Sequence, residues 1–418
     1  MTEAALSQGQ PRLAFALTEG LLTADPKNGQ AHYFQSLALI SLKDHRAANA
    51  AAARAFRFAD SDIQRYQAAQ LAAQLTYADE RYTLSQLWLR RAVHYAPNED
   101  VREKSVMAFR KVRNDNPLNV QLRFSVVPSD NVNNGSNSPY NIIEGSPIVG
   151  TLSPSAQAIP GVVASIDLRG SYRLLQGETF ETRLTGQISN KRVELNNSVP
   201  GISGDDLSEH KIQIGFAHRW TRSKQGYWQA EVNGGRQWYG GDLLYDFVGV
   251  GMTRVQKLSD NLRLTVGAEV EEQLDQAPPI TDATQYSAYA GLSYALGGGS
   301  RVSGSVHFTE IDSNGTNRAS QQWYGIVGYT HGRKIGPATM SASLGYSTLD
   351  YDQYSVVFPV AGGRVDSSWF GGISAAFTDL SYMGFVPTLS INAEQSRSNI
   401  SRFDVDQTAV SFGVRSEF

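Results

Sequence analysis

Thr408 to Phe418 reads TAVSFGVRSEF. Val410, Phe412, Val414 and Phe418 share one parity, and Ser411, Gly413, Arg415 and Glu417 share the other. A period of two puts an apolar and a polar face on an extended strand. Chain ends usually fray, yet this alternation runs to an aromatic final residue, Phe418. Such a strand needs something to pair with, and a closed barrel supplies it. The alternative is an edge strand of a soluble sandwich, so the decision moves outward to the rest of the chain.

The ending resembles the terminal strand of bacterial outer-membrane β-barrels. There an aromatic last residue belongs to the signal read by the barrel-assembly machinery, a role that would fall here to Val410, Phe412, Val414 and Phe418. Composition is compatible. In 418 residues with a mean hydropathy of -0.32, no apolar run approaches the ~18 residues of a membrane helix. Barrel strands carry only half that hydrophobicity. Cysteine is absent, which excludes disulfides and thiolate chemistry. A net charge of -3 argues against a nucleic-acid partner. The opening MTEAALSQGQ lacks the charged-then-apolar pattern of a signal peptide, so the export signal of such a protein is expected to have been removed.

Period two governs everything after Asn116. Fourteen strands are expected, near 118–127, 162–174, 178–190, 209–222, 226–239, 243–258, 261–274, 284–296, 300–310, 320–333, 338–350, 365–378, 385–397 and 405–418. An even count suits bacterial barrels. From Val162 to Leu174 the apolar set faces Ser165, Asp167, Arg169, Ser171 and Arg173, a charged face suited to a wet lumen. Connections alternate short and long, with Gly297 to Ser300 against Pro128 to Gly161 or Lys191 to Ser208. That is the asymmetry of tight periplasmic turns and long outer loops. Two departures are the short Gly240-Gly241 turn on the outer side and the longer Asp379 to Gly384 turn on the inner side. Trp228 and Trp238 share one parity of one strand. Ten residues at ~3.3 Å, tilted ~40°, rise about 25 Å, the height of a lipid-facing band between two aromatic girdles.

From Pro11 to Asn116 the texture is Ala, Leu, Gln and Arg, which favours helix. Pro26 and Pro97 stand about two repeats of ~35 residues apart, close to the tetratricopeptide period. Ala31, Ala38, Ala47, Ala51 and Ala55 are candidate small-residue seam positions. Residues 29–62 resemble one repeat, the segment from Asp62 the next, and PRLAFALTEGLLTADP the second helix of an earlier one. A plain helical bundle is the alternative. Asp115-Asn116-Pro117 marks the boundary, giving a helical domain over 1–116 and a barrel over 117–418.

No phosphate loop, dinucleotide fingerprint or zinc motif is present, and no cofactor, metal or catalytic residue is expected. Gly249 and Gly251 suit a tight barrel wall. Ser303, Ser305 and His307 share a lumenal face, so a Ser–His hydrolase is conceivable, but with seven His in the chain chance is the better explanation. Arg123, Asp167, Arg169, Arg173, Glu181, Arg183, Glu231, Glu269, Glu271 and Arg301 take the polar parity and are candidate lumen-lining residues. They could set selectivity or brace the wall. The segment Pro128 to Gly161 is either an exposed outer loop or a constriction folded into the lumen.

Tetratricopeptide-like helices joined to a barrel of about fourteen strands resemble the surface lipoprotein assembly modifier family. The likeness is sharpest at NPLNVQLRFSVVPSDNVNNGSNS, Asn116 to Ser138, which looks like that family's entry into its barrel. The resemblance implies a bacterial outer-membrane protein with its helical domain in the periplasm. It would display client lipoproteins, or related secreted proteins, on the cell surface. Its other partners would be the barrel-assembly machinery, outer-membrane lipid and lipopolysaccharide. The alternatives are an exopolysaccharide export porin with periplasmic repeats, or a general diffusion porin.

Overall fold

The structure, a computed structural model, describes residues 1–223, 225–276, 281–380, 382 and 385–416. Two compact units form, one built on Met1–Asn119 and the other on Val120–Leu380 with Val386–Arg415.

The first unit is helical: α1 (Thr2–Ser7), α2 (Pro11–Ala24), α3 (Gly29–Ser41), α4 (His45–Arg57), α5 (Asp62–Ala78), α6 (Tyr82–His94) and α7 (Glu99–Asp115). Side chains start four of them. Asn28, Asp44, Ser61 and Asn98 each accept a hydrogen bond from a backbone N–H in the first turn, satisfying donors that have no partner within the helix. Pro11 opens α2, where its missing N–H costs nothing. Two hairpins are built alike. Ser36 Oγ donates to the Ala48 carbonyl at 2.9 Å, and Ser85 Oγ to the Ala73 carbonyl at 2.9 Å. Their turns carry left-handed Lys43 (φ 65°) and Glu80 (φ 57°). Alanine lets the helices approach closely, with Ala48, Ala52, Ala69 and Ala92 fully buried around Trp88, Leu89 and Phe109, and Ala38 against Ala5 and Ala14. Of the expected seam, Ala31, Ala38, Ala51 and Ala55 are buried, but Ala47 only borders the core. The inward face of α4 runs through 48, 51, 52 and 55, one residue out of phase with 47.

The second unit is a closed antiparallel barrel of fourteen strands: β1 (Leu118–Ser129), then, after a small hairpin of β2 (Tyr140–Ile142) and β3 (Val149–Thr151), β4 (Gly161–Gln176), β5 (Phe180–Leu195), β6 (Glu209–Ser223), β7 (Gly226–Tyr239), β8 (Asp242–Lys257), β9 (Leu262–Asp275), β10 (Ala283–Ala295), β11 (Arg301–Ser313), β12 (Ser320–Ile335), β13 (Ala338–Tyr351), β14 (Arg364–Ala376), β15 (Phe385–Ser398) and β16 (Val405–Ser416). Neighbours in sequence pair with one another, and β1 closes on β16 with Phe124 opposite Val414 and Val126 opposite Phe412. Gly240 (φ 61°) and Gly241 (φ 90°) make the tight β7–β8 turn, a conformation that matches the twist of the strands and suits glycine at both positions. Glu417 and Phe418, and with Phe418 part of the expected assembly signal, lie outside the described residues.

Most strand ends fall within two or three residues of expectation, and the largest departure is at the end of β5. Lys191 to Leu195 is strand, not loop. Lys191 pairs with Glu209 in register and by a 2.8 Å ion pair, and Val193 is buried against Val132 and Leu207. Charged residues at 191, 192 and 194 hide this extension in the sequence, because they sit above the apolar band where the periodic signal fades.

Candidate functional site: the lumenal wall and the outer rim

Parity sorts the strands into two faces. Ile188, Ile214, Phe216, Val250, Val327 and Ile391 are each half or more exposed on one face. A large apolar side chain left in water forgoes ~1.5–3 kcal/mol, so a continuous belt of them is stable only against hydrocarbon. On the other face, side chains from next-nearest strands meet over a glycine. Asn233 reaches Glu269 at 3.2 Å across β8, Thr253 Oγ1 and the Tyr289 hydroxyl stand 2.9 Å apart across β9, and Tyr324 stacks on Phe370 at 5.1 Å across β13. Such convergence belongs to the concave side of a closed sheet.

All ten polar-parity candidates lie on that concave face, in three groups and two outliers. On β4, Asp167 holds Arg169 at 2.9 Å and accepts hydrogen bonds from Gln187 and Ser189 on β5. Nearer the turns, buried Glu181 pairs with Arg183 and with Arg219 at 2.7 Å, and Arg173 lies opposite Arg183 in register. At mid-wall, Glu231 on β7 and Glu269 and Glu271 on β9 flank Gly249 and Gly251 of β8. Arg123 on β1 and Arg301 at the start of β11 stand apart from these groups. An exposed pair such as Arg169–Asp167 contributes ~0–1 kcal/mol, so its weight lies in the charge it holds along the wall.

Of the proposed assembly residues, Val410, Phe412 and Val414 face outward, Phe412 56% exposed. The girdles form as expected. Trp220 sits opposite Trp228 near the short turns, while Trp323 packs on Phe308 and Trp369 on Tyr346, both pairs at 4.8 Å, toward the loops.

His307 Nε2 is 3.1 Å from Ser305 Oγ. The imidazole is stacked on Tyr289 at 5.6 Å and meets the Tyr324 ring edge-on at 5.3 Å. Among the described residues no carboxylate hydrogen-bonds this histidine, and none of them form a group of three or more His, Asp or Glu able to hold a metal ion.

The long first loop is folded rather than slack. Buried Asn131 exchanges two 2.8 Å hydrogen bonds with Gly135, and Asn133 bridges to the carbonyls of Ser155 and Gln157. Val132 packs with Val193 and Leu207 beyond β5, and Ile143 with Val360 and Ile400 of the loops before β14 and β16. Beside that second cluster Arg364 pairs with Asp366 at 2.5 Å under the rings of Tyr351, Tyr354 and Phe403. Periodicity is silent on these loop contacts. The one readable signal was the Asn spacing in NVNNG, since Asn side chains bind nearby backbone in turns. In the loop after β5, Asp206 accepts hydrogen bonds from the Ser203 N–H and hydroxyl, which hold its carboxyl below the usual carboxylate range.

A closed fourteen-stranded antiparallel barrel with an apolar exterior and a charged, hydroxyl-rich interior defines an integral barrel protein of the outer-membrane type. The chain belongs to the surface lipoprotein assembly modifier family, whose family model matches residues 118–412. Barrel fold and family together place the protein in the outer membrane. No curated protein matches the chain by sequence. Solved structures that resemble it include OmpT lacking loop L8, an outer membrane protein of Vibrio cholerae (8% identity, 72% of this chain and 99% of that chain, TM-score 0.35). Others are an anion-selective porin from Comamonas acidovorans (11%, 72% and 99%, 0.36) and a bacterial polysaccharide outer membrane secretin (7%, 71% and 98%, 0.36). At these scores nothing about their activities carries over.

Proposed function

We propose that this protein displays client lipoproteins, or related secreted proteins, on the bacterial surface. The observation that carries the reading is the family match across nearly the whole barrel, Leu118 through Phe412. In this reading the helical unit is a tetratricopeptide-like module that faces the periplasm. It offers the client a groove of about 640 Å³ lined by Leu6 of α1, Tyr33, Phe34 and Leu37 of α3, and Gln64 and Gln67 of α5. Holding the client there raises its concentration at the barrel, as a tether does. A fourteen-stranded lumen is too narrow for a folded domain by simple diffusion, so in this reading the client crosses unfolded or through a gating of the wall. The barrel-assembly machinery inserts the protein, and lipid and lipopolysaccharide surround it. The reading needs no chemistry: His307 and Ser305 are wall residues.

The test is co-expression with a lipoprotein encoded beside it, in a host lacking both genes, followed by antibody labelling of intact cells. Surface signal that needs both residues 1–116 and the barrel supports the proposal. Equal signal without the protein, together with loss of secreted polysaccharide on its deletion, overturns it in favour of glycan export.

A further inference from the structure

The lumen has two unlike sides. Between Arg301 and the Arg364–Asp366 pair, the inward positions of β10 to β14 hold no Asp, Glu, Lys or Arg and include Ser287, Ser303, Ser305, Ser343, Ser347 and Ser368. The side built from β7 to β9 carries a recess. Gly249 and Gly251 leave the middle of β8 without side chains, and a Cβ at 249 would sit 3.1 Å from Asn233 Oδ1 and 3.2 Å from Glu269 Oε1. Glu231 and Glu269 lie opposite each other in one row across Gly251, and Asn233 and Glu271 in the next across Gly249.

Three carboxylates therefore line the two rows that flank the bare middle of β8, and among the described residues none has an ion-pair partner. Glu231 accepts from Gln229, Glu269 from Asn233 and Glu271 from Gln273, each a neutral amide. The nearby Arg318 is held by Asp275 and Gln273. Asn233 adds an independent sign. It is only 9% exposed, its Nδ2 is spent on Glu269, and its Oδ1 has no hydrogen-bond partner. Buried acceptors are almost always satisfied, so an acceptor left open beside carboxylates is shaped for a donor that arrives from outside. A cation is the donor that suits this acceptor, because the carboxylates on either side attract positive charge.

We infer that this recess, Glu231, Asn233, Glu269 and Glu271 over the bare middle of β8, binds lysine ammonium or arginine guanidinium groups of an extended polypeptide in the lumen. The inference rests on the proposed role in protein display. Side chains on a flexible stem suit it, since each presents several N–H donors around one charge. The hydroxyl-rich stretch that continues from β10 to β14 can exchange hydrogen bonds with the same chain's backbone without trapping its charges. Successive basic residues would engage and leave one weak site in turn, the condition for passage.

The experiment uses the full chain in lipid nanodiscs with fluorescein-labelled octalysine and octaglutamate as probes. Octalysine is expected to bind, more weakly as salt rises, and octaglutamate is not. The double variant E269Q/E271Q should weaken octalysine by about tenfold, and Asn233→Asp, which adds a fourth carboxylate, should tighten it. Heat-modifiable gel mobility checks that each variant folds. Equal octalysine affinity in wild type, double variant and Asn233→Asp overturns the site. Displacement of octalysine by micromolar Ca²⁺ also overturns it, as a metal site. Because the probe is no lipoprotein, binding can persist where surface display fails, so the two failures are distinct.

Discussion

Asn131 is 1% exposed and ties both ends of a five-residue turn through Gly135. Removing the amide leaves a buried N–H and a carbonyl open, which costs ~1–3 kcal/mol. Asn131→Ala should raise hydrogen exchange across 128–161 while the barrel keeps its heat-modifiable mobility; unchanged exchange would show that the bracket is idle. Asp206 offers a pH handle in the loop after β5. Its carboxyl is held below the ordinary range by Ser203, so its contribution is present above the unfolded-state value and is lost as pH falls through the folded one. Protection factors in 196–208, taken relative to the intrinsic exchange rate at each pH, should therefore fall on acidification, and Asp206→Asn should flatten that dependence. Gly345 is the tightest of these residue-scale points. Any Cβ there runs into the Phe370 ring and lies 2.8 Å from the Gly325 carbonyl. Gly345→Val should force Phe370 off Tyr324 and cost ~1–3 kcal/mol, read as a lower temperature for loss of the folded gel band.

Strands were legible because each one meets two different solvents, so every second residue reports its side. β7 runs Gly226–Tyr239, the same bounds as its alternation. The signal lapses where both sides are wet, which is why β5 was cut short at its charged end. Depth within the lumen was not legible. Glu269 and Arg123 look alike in sequence, and only the glycines of β8, read with the strands on either side, set the first among other carboxylates. At the element scale the terminal strand carries a further prediction. Val410, Phe412 and Val414 of β16 present an outward apolar edge beside β1, and Phe418→Ala, or its deletion, should impair assembly rather than passage. Membrane fractionation and heat-modifiable mobility would report this, and normal amounts of folded barrel would refute it.

For the whole molecule, the proposed orientation puts the short turns and the helices in the periplasm. An epitope inserted between Asn196 and Val199 should be labelled on intact cells, and one before Pro11 should be labelled only after the outer membrane is opened. The reverse pattern would invert the topology. Residues 1–116 expressed alone should be soluble and helical by circular dichroism, since their core, from Leu39 to Val112, is drawn from within the unit.

The first long loop also keeps time. Gln407 donates to Ser129 and to the Asn131 carbonyl, and Ser401 to Tyr140, contacts that span 278, 276 and 261 residues of sequence. None of them can exist until the last strand has found the first, and contacts of such long range form late. An unfinished barrel therefore lacks these ties between 128–161 and its closing strand, and leaves that side of the loop open to proteases and quality-control factors. A completed one has it fastened at both sides of the closing pair. Protease resistance of that single segment is a clock for the final step of biogenesis, and a pulse-chase experiment that follows it would time closure separately from arrival at the membrane.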